Sequence, residues 1–82
     1  MKSIHDEKYV EIITRLRVAR IEKNVTQQTL SRKLGVQQSF ISKVECCERR
    51  LDIVEFIYWL NALNLSVEDV LPMHIEKRNN NG

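Results

Sequence analysis

The chain has 82 residues, a formal net charge of +2 and 43% hydrophobic residues. This length supports one small domain with a single core, and the absence of any apolar run long enough to cross a bilayer excludes a membrane-spanning segment in this sequence. Two glycines and one proline leave few turn formers, which argues against a sheet-rich fold and favours helices joined by short loops.

Basic residues are concentrated in one half of the sequence. Between Arg15 and Arg50 there are nine Lys or Arg residues and three acidic residues, whereas between Leu51 and Glu76 there are five acidic residues and no Lys or Arg. Concentrated positive charge suggests a polyanionic partner, although the same residues would also suit a solvated helix surface. The pattern along the helices must decide between these interpretations.

Five helices are predicted from the spacing of apolar residues and from residues that suit helix ends. In chain order they are Asp6–Lys23, Gln27–Leu34, Gln38–Glu45, Ile53–Leu63 and Val67–Leu71. The expected N-caps are Thr26, Asp52 and Ser66, and the expected left-handed helix ends are Asn24, Gly35 and Asn64. The predicted fold class is therefore all-α.

The fourth predicted helix carries the clearest local signals. Asp52 and Glu55 have the spacing of a capping box. Its inward stripe is expected to consist of Ile53, Phe56, Leu60 and Leu63, with Trp59 beside it. This helix should therefore supply much of the core.

The chain is expected to hold one domain over residues 1–76, followed by a disordered tail over residues 77–82. The polar start of the sequence does not resemble a secretory signal. The two cysteines, Cys46 and Cys47, are adjacent and do not form a disulfide framework, which predicts a cytoplasmic protein.

The third predicted helix separates its residues into two arcs. At 100° per residue, the polar arc contains Gln38, Ser39, Ser42 and Lys43, and the apolar arc contains Phe40, Ile41 and Val44. An ordinary surface helix would share this amphipathic pattern. However, the preceding helix ends at Gly35 and a short turn leads into this one, which is the arrangement of a helix-turn-helix whose second helix enters the DNA major groove. Gln, Ser and Lys side chains can all bond to base edges there.

The segment VTQQTLSRKLGVQQSFISKVE, from Val25 to Glu45, resembles the phage repressor and Cro-like helix-turn-helix proteins, also called the XRE family. The resemblance extends from about Ile12 to Leu71. It implies a compact five-helix, lambda-repressor-like domain that acts as a dimer on a near-palindromic operator in double-stranded DNA. The expected role is that of a transcription regulator, with repression favoured.

The resemblance also implies roles for individual residues. Gln38 matches a glutamine that commonly reads adenine. Gln27 matches a glutamine that bonds a phosphate and also braces the adenine-reading glutamine. The other expected base-reading residues are Gln37, Ser39, Ser42 and Lys43. Arg20 and Glu45 match an internal salt bridge. The remaining expected phosphate contacts, which are assigned from their basic charge and their place near the motif, are Arg17, Arg49 and Arg50.

Cys47 departs from the family pattern, because relatives usually have a glycine there in the left-handed conformation. A cysteine would either be strained by roughly 1–2 kcal/mol or send the loop along another path. A redox role for Cys46 and Cys47 is also open, since nearby basic residues could lower a thiol pKa. The spacing matches no zinc motif, and neither a metal nor a cofactor is expected.

An exposed apolar surface is predicted on the fourth helix and the segment after it. Its expected members are Val54, Ile57, Tyr58, Leu65, Val67 and Val70. Such a surface usually marks a partner, here a second copy in a homodimer. The alternative function is an antitoxin that binds a protein toxin at this surface and also represses its own operon. No arrangement of residues suggests an enzyme.

Overall fold

The computed structural model describes residues 5–71, which form four α-helices and one short 3-10 helix. They are α1 (Glu7–Glu22), α2 (Gln27–Leu34), α3 (Gln38–Glu45), α4 (Ile53–Leu63) and the 3-10 helix Val67–Asp69. No strand occurs within residues 5–71. The all-α prediction is confirmed, whereas the tail predicted for residues 77–82 lies outside the described residues.

The prediction of a fifth α-helix over Val67–Leu71 is wrong in kind, because this segment forms only a three-residue 3-10 helix. Ser66 is its N-cap residue, and the Asp69 carboxylate accepts from the Ser66 backbone N–H at 2.8 Å. The hydrogen bonds from Ser66 also lower the pKa of Asp69. The helix cannot extend easily, because Leu71 precedes Pro72 in the sequence and a residue before proline disfavours the α conformation.

Local signals set the ends of the longer helices. The Thr26 side chain accepts from Thr29 N–H at 3.0 Å at the start of α2. Asp52 and Glu55 form the reciprocal bonds of a capping box at the start of α4. Left-handed residues follow the helices at Asn24, Gly35, Cys47 and Asn64. The chain therefore turns sharply after each helix, which is what a compact four-helix arrangement needs.

The core lies between the four helices, and Trp59 of α4 is its largest fully buried side chain. The buried apolar residues are Ile13, Leu16, Leu30, Ile41, Val44, Leu51, Trp59, Leu60, Leu63 and Val70. Phe40 of α3 packs on Trp59, with ring centroids 5.9 Å apart. This contact and the buried face of α3 hold that helix against α2 and α4.

The inward stripe predicted for α4 is wrong at its first member. Ile53 is 69% exposed, because it begins the helix beyond the edge of the core. Leu51, which precedes the helix, is buried instead. The stripe proper begins with the half-buried Phe56 and continues through Leu60 and Leu63.

Tyr9 joins α1 to the loop that follows α3. Its hydroxyl oxygen accepts from the Leu51 backbone N–H at 3.0 Å. The Arg50 guanidinium lies over its ring, 5.3 Å from the centroid. Burial raises the pKa of Tyr9, so the side chain stays a neutral phenol in the physiological range. The loop is thus fixed from the side of α1.

Cys47 takes the left-handed conformation that a glycine would favour, with φ of +59°. Its N–H donates to Val44 O at 3.0 Å, and Glu48 N–H donates to Lys43 O at 2.8 Å. These bonds cap the end of α3 along the path expected for a glycine, so the loop does not take another route. The cysteine retains the strain.

We expect Cys47→Gly to be more stable than Cys47→Ala by about 1 kcal/mol, because glycine adopts a positive φ without a Cβ clash. Both variants lose the packing of the thiol, so the difference between their free energies of unfolding reports the backbone strain at this position. The greater chain entropy of glycine in the unfolded state makes this difference smaller than the strain itself. Urea unfolding of both variants measures this difference. Equal stability would contradict strain at this position.

Candidate nucleic-acid interface

The solvent-facing side of α3 is polar along its whole length. Gln38, Ser39 and Lys43 are exposed and Ser42 is half-buried, as is expected of side chains on one arc. Ile41 and Val44 on the opposite side are fully buried. The helix is therefore held by its apolar face while its polar face is presented to solvent.

The turn between α2 and α3 leaves the start of α3 accessible. Gly35 has φ of +70°, and Val36 N–H donates to Ser31 O at 3.0 Å, which closes the end of α2. Gln37 is the N-cap of α3, but its side chain makes no capping hydrogen bond. Its exposed amide is thus available for contacts outside the helix, together with that of Gln38.

A buried ion pair links α1 to the last residue of α3. Arg20 donates from Nε to Glu45 Oε2 at 2.6 Å and from Nη2 to Glu45 Oε1 at 3.0 Å. It also donates to Val25 O at 2.7 Å. The side chains of Arg20 and Glu45 are only 10% and 4% exposed, so the pair is part of the interior. It fixes α3 relative to the rest of the domain.

Hydrogen bonds lead from this ion pair to the exposed start of α3. Gln27 Nε2 donates to Glu45 Oε1 at 2.9 Å. Gln38 Nε2 then donates to Gln27 Oε1 at 3.3 Å. We call Arg20, Glu45, Gln27 and Gln38 the polar network. It connects a buried charge to the amide that the family resemblance assigns to base reading.

The three arginines predicted as phosphate contacts have different surroundings. Arg17 is half-exposed and its Nε lies 3.9 Å from Glu45 Oε1. Arg50 is exposed and lies over the Tyr9 ring. Within residues 5–71, neither side chain has a closer ion pair. The guanidinium groups of both residues therefore remain available on the surface for an anionic partner.

Arg49 has structural partners instead. Its guanidinium lies 4.5 Å from the centroid of the Phe40 ring and its Nη2 is 3.2 Å from Glu55 Oε2. It also donates to the Arg50 backbone carbonyl. A phosphate would have to compete with the Glu55 carboxylate for this side chain, and the phosphate contact of Arg49 stays a prediction. Its evident task is to join the loop after α3 to the start of α4.

Two contacts of this region were not anticipated from the sequence. Glu55 completes the capping box and also binds Arg49, six residues away, a spacing with no helical regularity. Tyr9 bonds the loop at Leu51 over a separation of 42 residues. No local pattern marks either pairing. The sequence shows only that these polar side chains can donate or accept hydrogen bonds, and it does not show with which residue.

The apolar surface predicted on α4 is present, with different members. Ile57 and Tyr58 are 48% and 61% exposed, and Ile53, Val54 and Val67 are exposed as well. We call the four of these residues that lie on α4, which are all except Val67, the apolar α4 surface. Leu65 and Val70 do not belong to it: Leu65 is half-buried against the core and Val70 is fully buried. The turn after Asn64 directs both side chains inward.

Cys47 does not have the environment of a reactive thiol. Burial raises the pKa of Cys47, and the neighbouring Cys46 adds to the rise. This is the direction opposite to the lowering that the redox hypothesis requires, because the thiolate is the reactive form. The positive charge of Arg49 is directed to Glu55 and does not activate the Cys47 thiol.

Other kinds of site were not found in the part of the chain that the structure describes. Among residues 5–71, no group of three or more His, Cys, Asp or Glu side chains could hold a metal ion. Over the same residues, no helix has both the length and the apolar character needed to cross a membrane. The candidate binding surfaces are therefore the polar face of α3 and the apolar α4 surface.

Residues 16–70 match the family model HTH_3, described as helix-turn-helix. The chain belongs to the XRE family of helix-turn-helix proteins. The match confirms the resemblance noted in the sequence, and the family is one of DNA-binding transcription regulators. The match includes α2, α3 and α4 in full.

Solved structures agree with this assignment. An XRE-family like protein from Pseudomonas syringae pv. tomato is 39% identical, over 76% of this chain and 76% of that one, with a TM-score of 0.72. The restriction-modification controller protein C.AhdI from Aeromonas hydrophila is 27% identical, over 76% of this chain and 94% of that one, with a TM-score of 0.69. The wild-type restriction-modification controller protein C.Esp1396I is 25% identical, over 72% and 77%, with a TM-score of 0.67. No curated protein sequence matches significantly.

Proposed function

We propose that this XRE-family regulator is a sequence-specific repressor that binds duplex DNA as a homodimer, with α3 in the major groove. The observation that carries the proposal is the exposed polar face of α3 with Gln38 held in place by the polar network. A side chain that is fixed before binding loses less conformational entropy when it bonds a base edge. The similarity to restriction-modification controller proteins supports a regulatory role.

Base reading is assigned to the exposed residues of α3. Gln38 presents an amide that can bond the N6 and N7 atoms of adenine. Lys43 can donate to guanine or to a phosphate, and the short side chains of Ser39 and Ser42 allow the helix backbone to approach the bases. Gln37, just before the helix, completes this set of readers. The set spans two turns of α3, enough for a few successive base pairs.

Phosphate binding is assigned to residues on either side of α3. Gln27 begins α2, where free backbone N–H groups and the helix dipole favour an anion. Arg17 and Arg50 contribute exposed positive charge. These contacts position the protein and give affinity without sequence information, so they make binding depend on salt. Arg49 belongs to the same set, although its bond to Glu55 would have to open first.

Homodimer formation is assigned to the apolar α4 surface. A two-fold axis there would place two α3 helices on one face of the duplex, about one helical turn or roughly 34 Å apart. A dimer of this kind represses by occupying its operator and excluding other proteins. It needs no further surface, which suits a domain this small. Because its target is DNA, the protein would act in the cytoplasm.

We expect Gln38→Ala to lower operator affinity by about 1–3 kcal/mol and to relax base preference at one position of each half-site. The substitution removes both hydrogen bonds to adenine without disturbing the buried face of α3. Selection of bound duplexes from a random pool, followed by titration at fixed salt, measures both effects. Unchanged affinity and preference would contradict the proposed reading mode.

The antitoxin alternative uses the same apolar α4 surface for a protein toxin. The two functions differ in what covers Ile57 and Tyr58 in the isolated protein. A pure, soluble homodimer that binds its operator without any second protein supports the repressor. Co-purification of one stoichiometric small protein that protects this surface, with loss of the homodimer, would favour the antitoxin.

A further inference from the structure

The carboxylate of Glu45 acts beyond its own ion pair. Gln38, the proposed base reader, has an amide whose oxygen and nitrogen exchange places on half a turn of the last side-chain bond. The order of these two atoms decides which base edge the side chain matches. Adenine needs an acceptor for its N6 group and a donor for its N7 atom. Something must therefore fix the amide if the reading is to be selective.

The hydrogen bonds of Glu45 determine this order step by step. A carboxylate can only accept, so Gln27 must turn its Nε2 group towards Glu45, to which it donates at 2.9 Å. The Oε1 atom of Gln27 therefore faces Gln38. Because this oxygen can only accept, Gln38 must turn its donor group towards it. Gln38 does so from Nε2 at 3.3 Å. A half-turn of either amide would bring two like groups together.

Arg20 keeps Glu45 in the position that this task requires. It binds both carboxylate oxygens, at 2.6 and 3.0 Å, and Oε1 still accepts from Gln27. The Glu45 side chain is almost completely excluded from solvent, so water does not compete for these bonds. The orientation is thus imposed from the interior of the domain and not by the DNA.

One donor of Gln38 is also used up in this arrangement. Its Nε2 group has two N–H bonds, and one points to Gln27. Only one N–H and the Oε1 atom remain for a base. Guanine offers two acceptors, O6 and N7, and an amide with both N–H bonds free could bind them. The network therefore disfavours guanine as well as favouring adenine.

We infer that Glu45 is a positioning residue for base recognition, whose carboxylate acts through Gln27 to fix the order of donor and acceptor on the Gln38 amide and so selects adenine over guanine. This inference rests on the proposed function, since it assumes that α3 reads DNA. It assigns a specificity role to a buried residue that touches no base.

The test compares duplex selection from a random pool by the full chain and by three variants. Glu45→Gln keeps the shape but adds a donor, so Gln27 can turn either way. Arg20→Met/Glu45→Met removes the whole ion pair and so leaves no stranded charge if the single variant does not fold. Gln27→Met breaks the link while leaving the ion pair intact. Circular dichroism checks the fold of each.

The wild type is expected to prefer adenine to guanine by about tenfold at one position of each half-site. All three variants should reduce this preference to less than about threefold, with the other positions unchanged. Glu11→Gln is the matched control, because it removes the same charge from the Arg15–Glu11 ion pair, which shares no residue with the network. Its preference should equal that of the wild type.

Two results would overturn the inference, and they are distinguishable. If the folded variants that lack the Glu45 carboxylate keep the adenine preference of the wild type, Glu45 has no positioning role and the proposed function stands. If the wild type itself selects no sequence from the pool, the proposed function fails, and the inference fails with it. Equal relaxation by Gln27→Met and by loss of the carboxylate supports the inference.

Discussion

Glu45→Ala is expected to lower the free energy of unfolding by about 3–5 kcal/mol. The substitution leaves the Arg20 guanidinium buried without the carboxylate that accepts two of its hydrogen bonds. It also leaves the Nε2 group of Gln27 without its acceptor. Because small domains are stable by only about 5–15 kcal/mol, this loss would remove a large part of the total. Urea unfolding followed by circular dichroism measures it.

The control for this prediction is Glu11→Ala. It breaks an arginine–glutamate pair whose side chains are about one third exposed, and such pairs contribute less than about 1 kcal/mol. Replacing both members of the buried pair, in Arg20→Met/Glu45→Met, should restore most of the stability lost in Glu45→Ala. If Glu45→Ala costs no more than Glu11→Ala, the buried pair does not contribute this stability to the fold.

The bounds of α2 and α4 could be predicted because short local signals mark them. Thr26 and Asp52 cap helix starts with side chains that bond backbone N–H groups three residues later. Gly35 and Asn64 end helices in the left-handed conformation, which few other residues adopt readily. These signals depend on neighbours in sequence only. They are therefore readable without knowledge of the packing.

The errors arose where packing between distant segments decides the outcome. Ile53 has the spacing of a core residue but begins its helix outside the core, and Leu51 is buried instead. Val70 follows an exposed turn but is directed inward and fully buried. Periodicity assigns residues to one face of a helix, but it does not say where the neighbouring helices end. Short segments and helix ends are most affected.

The candidate site shows the same division. The polar face of α3 follows from the helical period alone, and the described structure presents it to solvent. The pairing of Arg20 with Glu45 spans 25 residues and was implied only by the family resemblance. The bond of Arg49 to Glu55 was not predicted at all, and it gives this basic residue a structural partner within the domain. Charge in a sequence does not reveal which acid neutralises it.

Ile57→Asp is expected to abolish the homodimer and to lower affinity for the full operator by about 10²–10⁴-fold. In the proposed dimer, binding of one half-site brings the second α3 next to the other half-site at a high effective concentration. A carboxylate in the centre of the apolar α4 surface would have to be buried without a partner, which disfavours association. Because Ile57 is 48% exposed in the single chain, the fold itself should be little affected.

This prediction separates dimer formation from base reading, because the variant retains all of α3. Its affinity for a duplex with a single half-site should equal that of the wild type, while sedimentation analysis shows a monomer. Ile21→Asp is the matched control, since Ile21 on α1 is equally exposed and lies outside the apolar α4 surface. If the Ile57→Asp protein were still dimeric, the dimer interface would have to lie elsewhere on the domain. A variant that loses half-site affinity as well would mean that α4 and α3 do not act as independent surfaces.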